Sequence, residues 1–99
     1  MAVAYVMQFD GVGQQDYDDA MEVLDLAAPG ALDRTNDWPD GLITHLAAAT
    51  PKGWCVVDTW ESDAKFGAFF ESRLGPALAK VGIPEPNVTV AEIYNTHTS

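Results

Sequence analysis

The chain has 99 residues, 47% of them hydrophobic and 20% charged, which fits one small globular domain and excludes two catalytic domains. Fifteen acidic side chains against five basic ones give a net charge of −10. That charge repels phosphate backbones and anionic headgroups, so neither nucleic acid nor a membrane surface is an expected partner.

No apolar run approaches the roughly 20 residues of a membrane span, no basic region precedes the apolar stretch of MAVAYVMQFDG, and a cytoplasmic location is expected. The single cysteine, Cys55, lies in an apolar run and reads as a small core side chain. A domain this short has a thin core, which favours pairing with a second copy.

Val3 to Phe9 (VAYVMQF) is β-branched and aromatic and closes on Asp10-Gly11, the pattern of a first strand and its turn. Tyr17, Met21, Leu24 and Ala28 then recur at helical spacing, with acidic residues on the other faces, and Pro29-Gly30 ends the helix. The stretch from Pro29 to Gly41 reads as a loop whose one large apolar feature is Trp38-Pro39. Leu42 to Ala49 and Trp54 to Trp60 flank the turn sequence Thr50-Pro51-Lys52-Gly53 and form a hairpin.

Ser62 can cap a second helix in which Phe66, Phe69, Phe70, Leu74, Leu78 and Val81 recur in steps of three and four. Gly75-Pro76 inside that pattern implies a kink or restart, because proline lacks the N–H and crowds the preceding turn. Asn87 to Tyr94 closes the chain as a fourth strand. The order βαββαβ implies an α+β, ferredoxin-like domain: a four-stranded antiparallel sheet with two helices on one face. Leu42, Leu46, Cys55 and Val57 then fall on the other face, and the simplest cover for so apolar a surface is the same face of a second chain.

Side chains alternate across a strand, so Trp54, Val56, Asp58 and Trp60 share a face. Counting outward from a Pro51-Lys52 tip puts His45 opposite Asp58, Ile43 opposite Trp60 and Ala47 opposite Val56. A histidine beside a carboxylate on an inward face, next to a tryptophan, is a candidate acid/base pair. The same pairing also serves as a plain cross-strand hydrogen bond between two buried polar groups, and both meanings stand at this stage. Tyr5 alternates with Met7 and Phe9 along the first strand, where core packing is the commoner role for such residues. Trp38 either lids a pocket or anchors its loop. Only His45 and His97 are present, in no close-spaced ligand set, so no metal site is expected. No glycine-rich phosphate loop or nucleophile elbow occurs.

The stretch GWCVVDTWESDAKFGAFFESRLGPALAKVGIPEPNVTV, with the earlier GLITH, resembles small bacterial proteins of the dimeric α/β-barrel superfamily, the group of the antibiotic biosynthesis monooxygenase-like domains. Its most specific part is Asp58-x-Trp60-Glu61-Ser62 followed by Phe66 and Phe69. The resemblance implies a homodimer and a cavity between sheet and helices for a small planar, apolar or aromatic molecule. Trp60, Phe66, Phe69, Tyr5 and Trp38 are the candidate substrate-binding residues, and His45 and Asp58 the candidate catalytic pair. The haem-degrading branch of the superfamily uses a helix-borne histidine, and none occurs between Asp63 and Val81, so no haem or other cofactor is expected.

Three functions compete: a cofactor-independent monooxygenase-like enzyme, a cofactor-free isomerase or cyclase using the same pair, and a non-catalytic ligand-binding or structural dimer. A cavity of roughly 300 Å³ or more lined by His45, Asp58 and Trp60 favours the first two, and a packed interior favours the third.

Overall fold

The computed structural model describes residues 2–24 and 38–96. Along them run β1 (Val3–Asp10), α1 (Gln14–Leu24), β2 (Leu42–Thr50), β3 (Gly53–Trp60), α2 (Asp63–Phe69), a π-helical turn (Phe70–Leu74), α3 (Gly75–Val81) and β4 (Asn87–Glu92). The strands make one antiparallel sheet in the order β2-β3-β1-β4. With α2, the π-turn and α3 as one continuous helical unit, this is the ferredoxin-like arrangement that the sequence implies.

Local chemistry places the boundaries. The Ser62 side chain accepts a hydrogen bond from the Lys65 N–H at 3.2 Å and caps α2. Pro76 has no N–H to return to the preceding turn, and just before it the ladder widens: the Gly75 N–H donates to the Phe70 carbonyl, five residues back. The restart expected at Gly75-Pro76 is therefore a π-turn running into α3. Gly82, left-handed at φ 86°, ends α3, and its N–H and that of Ile83 both donate to the Leu78 carbonyl at 2.9 Å. Where β3 begins, Gly53 runs so close to β1 that a Cβ would lie 2.3 Å from the Phe9 carbonyl oxygen.

The hairpin pairs His45 with Asp58 and Ala47 with Val56, the register counted from the turn. Nearer its open end the count fails. The register shifts between Leu42 and Thr44, so that Leu42, not Ile43, opposes Trp60. Ile43 is the extra residue of a bulge and is half exposed, at 50%. The same bulge turns Leu42 toward the helices, where it packs on the core instead of joining the open face. α1 ends at Leu24, whereas the sequence pattern ran to Ala28; Ala28 and the loop as far as residue 37 lie outside the described residues. β4 stops at Glu92, short of Tyr94.

The core lies between sheet and helices. Val3, Tyr5, Met7 and Phe9 from β1 and Val56 and Trp60 from β3 meet Leu78 of α3, and a smaller cluster joins Met21 and Leu24 of α1 to Ala77. On the opposite face Leu46, Val57 and Val6 stand side by side across β2, β3 and β1. Leu46 is 53% exposed and Val6 39%. Two polar pairs on this face bond to each other, Thr44 with Thr59 at 2.5 Å and Gln8 with Thr50 at 3.0 Å.

Candidate functional site

Tyr17, Ala20, Met21 and Leu24 form the stripe of α1 that faces the sheet, and of these only Tyr17 carries a polar tip. Asp16 holds the start of that helix by accepting from the Gly13 N–H at 3.0 Å. The Tyr17 hydroxyl comes down over β2 and lies 2.7 Å from His45 Nε2. On its other side His45 Nδ1 lies 2.6 Å from Asp58 Oδ1, the cross-strand contact that the register provides.

Asp58 is an acceptor, so in the neutral ring Nδ1 carries the proton and donates to it. Nε2 is then the acceptor of the Tyr17 O–H. The result is a directional chain: Tyr17 donates to His45, which donates to Asp58. It is largely out of water, with side-chain exposures of 19% for His45 and 8% for Asp58. Burial first, and then the Asp58 and Asp18 charges, push the Tyr17 hydroxyl up to about 12, so it holds its proton at neutral pH.

Around this chain lies a cavity of about 70 Å³. His45, Asp58, Trp60, Phe69 and Trp38 line it, so five of the seven residues singled out in the sequence meet there. The Trp38 ring is tilted over His45 with centroids 5.2 Å apart. Tyr5 and Phe66 take a different place. They stack on each other at 3.9 Å, with Phe66 edge-on to Trp60, and are not among the described lining residues. The Tyr5 hydroxyl donates to Asp63 at the start of α2, and burial followed by the Asp63 bond raises it to about 12.

Sequence reasoning missed Tyr17 and Trp54, which both line the cavity with rings 5.5 Å apart. The signal for Tyr17 was its place as the sole hydroxyl on an otherwise apolar helical stripe. The indole N–H groups of Trp54 and Trp60 are buried without a hydrogen-bond partner, and Trp60 is wholly inaccessible. Each such unpaired buried donor costs about 1–3 kcal/mol. No group of three or more metal-ligating side chains occurs among the described residues, and none of their helices is long and apolar enough to cross a membrane.

No protein-family profile and no curated protein matches the chain. Among solved structures, two putative antibiotic biosynthesis monooxygenases share its architecture over nearly the full length. The one from Chloroflexus aurantiacus J-10-fl superposes with a TM-score of 0.64 at 15% identity, covering 99% of this chain and 98% of that one. The one from Deinococcus radiodurans gives 0.59 at 10% identity, covering 100% and 98%. Likeness at this level of identity is likeness of fold, and the chain has the fold of the antibiotic biosynthesis monooxygenase-like proteins.

Proposed function

We propose that the protein is a monooxygenase-like enzyme that binds a small planar, electron-rich aromatic molecule between sheet and helices, with His45 and Asp58 taking a proton from it. The observation that carries this reading is the hydrogen-bonded Tyr17–His45–Asp58 chain inside a cavity that is otherwise almost wholly apolar. Ionising an electron-rich ring makes it able to reduce dioxygen itself. One oxygen atom then enters the ring system and the other leaves as water, with all electrons supplied by the substrate and no cofactor required. The working unit is a homodimer joined through the open faces of its two sheets.

A ring-sized ligand needs more than 70 Å³, since ligand sites typically begin near roughly 300 Å³. Trp38 and Pro39 form part of the cavity wall, next in sequence to the exposed Asp40–Lys65 ion pair at 2.7 Å. The small volume also favours a second reading, a non-catalytic dimer in which the same residues are core.

Oxygen uptake with hydroquinone and phenol as probes, product mass, and ring-proton exchange in deuterated water separate these readings. Uptake with one oxygen atom gained, falling about 100-fold in His45→Ala, supports the monooxygenase-like reading. Exchange without uptake indicates cofactor-free proton transfer. Failure of either probe to bind at millimolar concentration leaves the non-catalytic dimer.

A further inference from the structure

We infer that Tyr17 is the group of this site that meets the ligand, as the outer end of a proton relay running through His45 to Asp58, and that the ligand presents a weakly acidic hydroxyl on a planar ring, a phenol or a ring enol. The inference rests on the reading above that the cavity takes a small aromatic molecule.

The geometry of His45 is the reason. Both of its ring nitrogens are engaged, Nδ1 by Asp58 at 2.6 Å and Nε2 by Tyr17 at 2.7 Å, so the imidazole has no lone pair left for a ligand. The Tyr17 oxygen gives away its one proton in that bond and keeps its acceptor capacity. It reaches the cavity from α1, the wall opposite the sheet that carries the other two members.

A ligand hydroxyl that donates to Tyr17 completes a line of four groups. Its O–H bond breaks and the proton goes to the Tyr17 oxygen, while the proton already on Tyr17 moves to His45 Nε2. The ligand is left as an oxyanion that accepts from the renewed Tyr17 hydroxyl, and the imidazolium is held by Asp58. One proton is displaced in total and no electron moves. Because the Tyr17 hydroxyl is pushed up to about 12, the tyrosine gives up its proton only as it takes the ligand's, and it is neutral before and after the transfer.

The charge around the cavity narrows the ligand class. The ionised groups facing the relay are Asp58 from β3 and Asp18 from α1, and no lysine or arginine is among the described lining residues. A carboxylate or phosphate would bring a second negative charge against Asp58 with no cation to meet it. An aliphatic alcohol is too weak an acid to yield a proton to imidazole. A phenol or enol enters neutral and ionises inside.

Fluorine NMR of the full chain with 4-fluorophenol, fluorobenzene and 4-fluorobenzoate tests this. The expected result is 4-fluorophenol binding about tenfold more tightly than fluorobenzene, with a bound fluorine shift displaced toward that of the phenolate, and 4-fluorobenzoate binding weakest. Tyr17→Phe should erase the tenfold preference and leave the bound shift at the neutral value. His45→Gln, which keeps Tyr17 but removes the proton's destination, should also give the neutral shift, and serves if Tyr17→Phe folds poorly.

Equal binding of 4-fluorophenol and fluorobenzene by the unaltered protein overturns the relay. A phenolate shift that survives Tyr17→Phe overturns the role of Tyr17, because the ligand then meets His45 directly. Tightest binding of 4-fluorobenzoate overturns the ligand class. If none of the three binds, the reading of the cavity as an aromatic site falls, and this inference falls with it.

Discussion

Val57 and Asp58 are neighbours in the chain and lie on opposite faces of the sheet, and the two faces are built on different principles. The face of Asp58 is covered by helices, carries the aromatic rings, and holds a buried polar chain whose members satisfy one another. The face of Val57 is uncharged from Ala4 to Gln8 and from Thr44 to Ala48, pairs Thr44 with Thr59 and Gln8 with Thr50, and leaves Leu46 and Val6 exposed. In a chain of net charge −10, a face free of charge suits the proposed contact with a second sheet. On the function proposed above, one face takes a small molecule and the other a second sheet.

The largest expected effect is on the covered face. Trp60 is fully buried and touches both Phe66 and Phe69, so Trp60→Ala should cost about 3–5 kcal/mol, read from the urea midpoint. A loss below about 1 kcal/mol would mean that the space around Trp60 is far looser than its contacts imply.

Next comes the open face. If two copies meet there, Val57→Asp buries an unpaired charge at the middle of the interface and should cost about 3 kcal/mol of association or more. Light scattering should show a dimer for the unaltered chain and a folded monomer for the variant. A folded monomer in the unaltered chain at dilution would break the comparison, since the open face would then have no cover.

How much of this was legible beforehand differs between the two ends of one hairpin. Near the turn, the type and length of Thr50 to Gly53 fix the register, so counting residues was enough to set His45 against Asp58. Eight residues from the tip the count broke, because a bulge at Ile43 depends on packing against the helices and leaves no mark in the strand pattern. Element order was readable from the change of hydrophobic period. The rotation of α1 over the sheet was not, and that rotation is what brings Tyr17 to His45. Trp60 was legible as a wall because its alternation with Asp58 is local. Phe66 lay one layer further back than its spacing implied, since helical periodicity gives a face and not a depth.

Within the covered face, Asp58→Ala should cost about 1–3 kcal/mol, because the His45 N–H loses its acceptor in a place water barely reaches. The paired test is Asp40→Ala at the exposed Lys65 ion pair, which should leave the urea midpoint unmoved. Comparable losses at both positions would erase the distinction between a buried chain and a surface contact.

Among the buried chain's members the smallest effect at neutral pH should come from Tyr17→Phe, which removes one hydrogen bond and no carbon, about 0.5–1.5 kcal/mol. Its signature lies at alkaline pH. Tyr17 and Tyr5 are both raised to about 12 in the folded chain, against about 10 for an unfolded tyrosine. Between those values the unfolded chain releases its tyrosine protons while the folded chain retains them. The unfolded state then binds fewer protons, so stability falls as pH climbs through that window and is fully present below it. Urea midpoints measured from about pH 9 to 12 should therefore decline, and more gently in Tyr17→Phe, because one of the two retained protons is gone. Tyrosinate absorbance should lose one of its two late ionisations in the same variant. An unchanged alkaline slope would mean that the Tyr17 hydroxyl is open to water and free of Asp58, and the relay would lose its outer member.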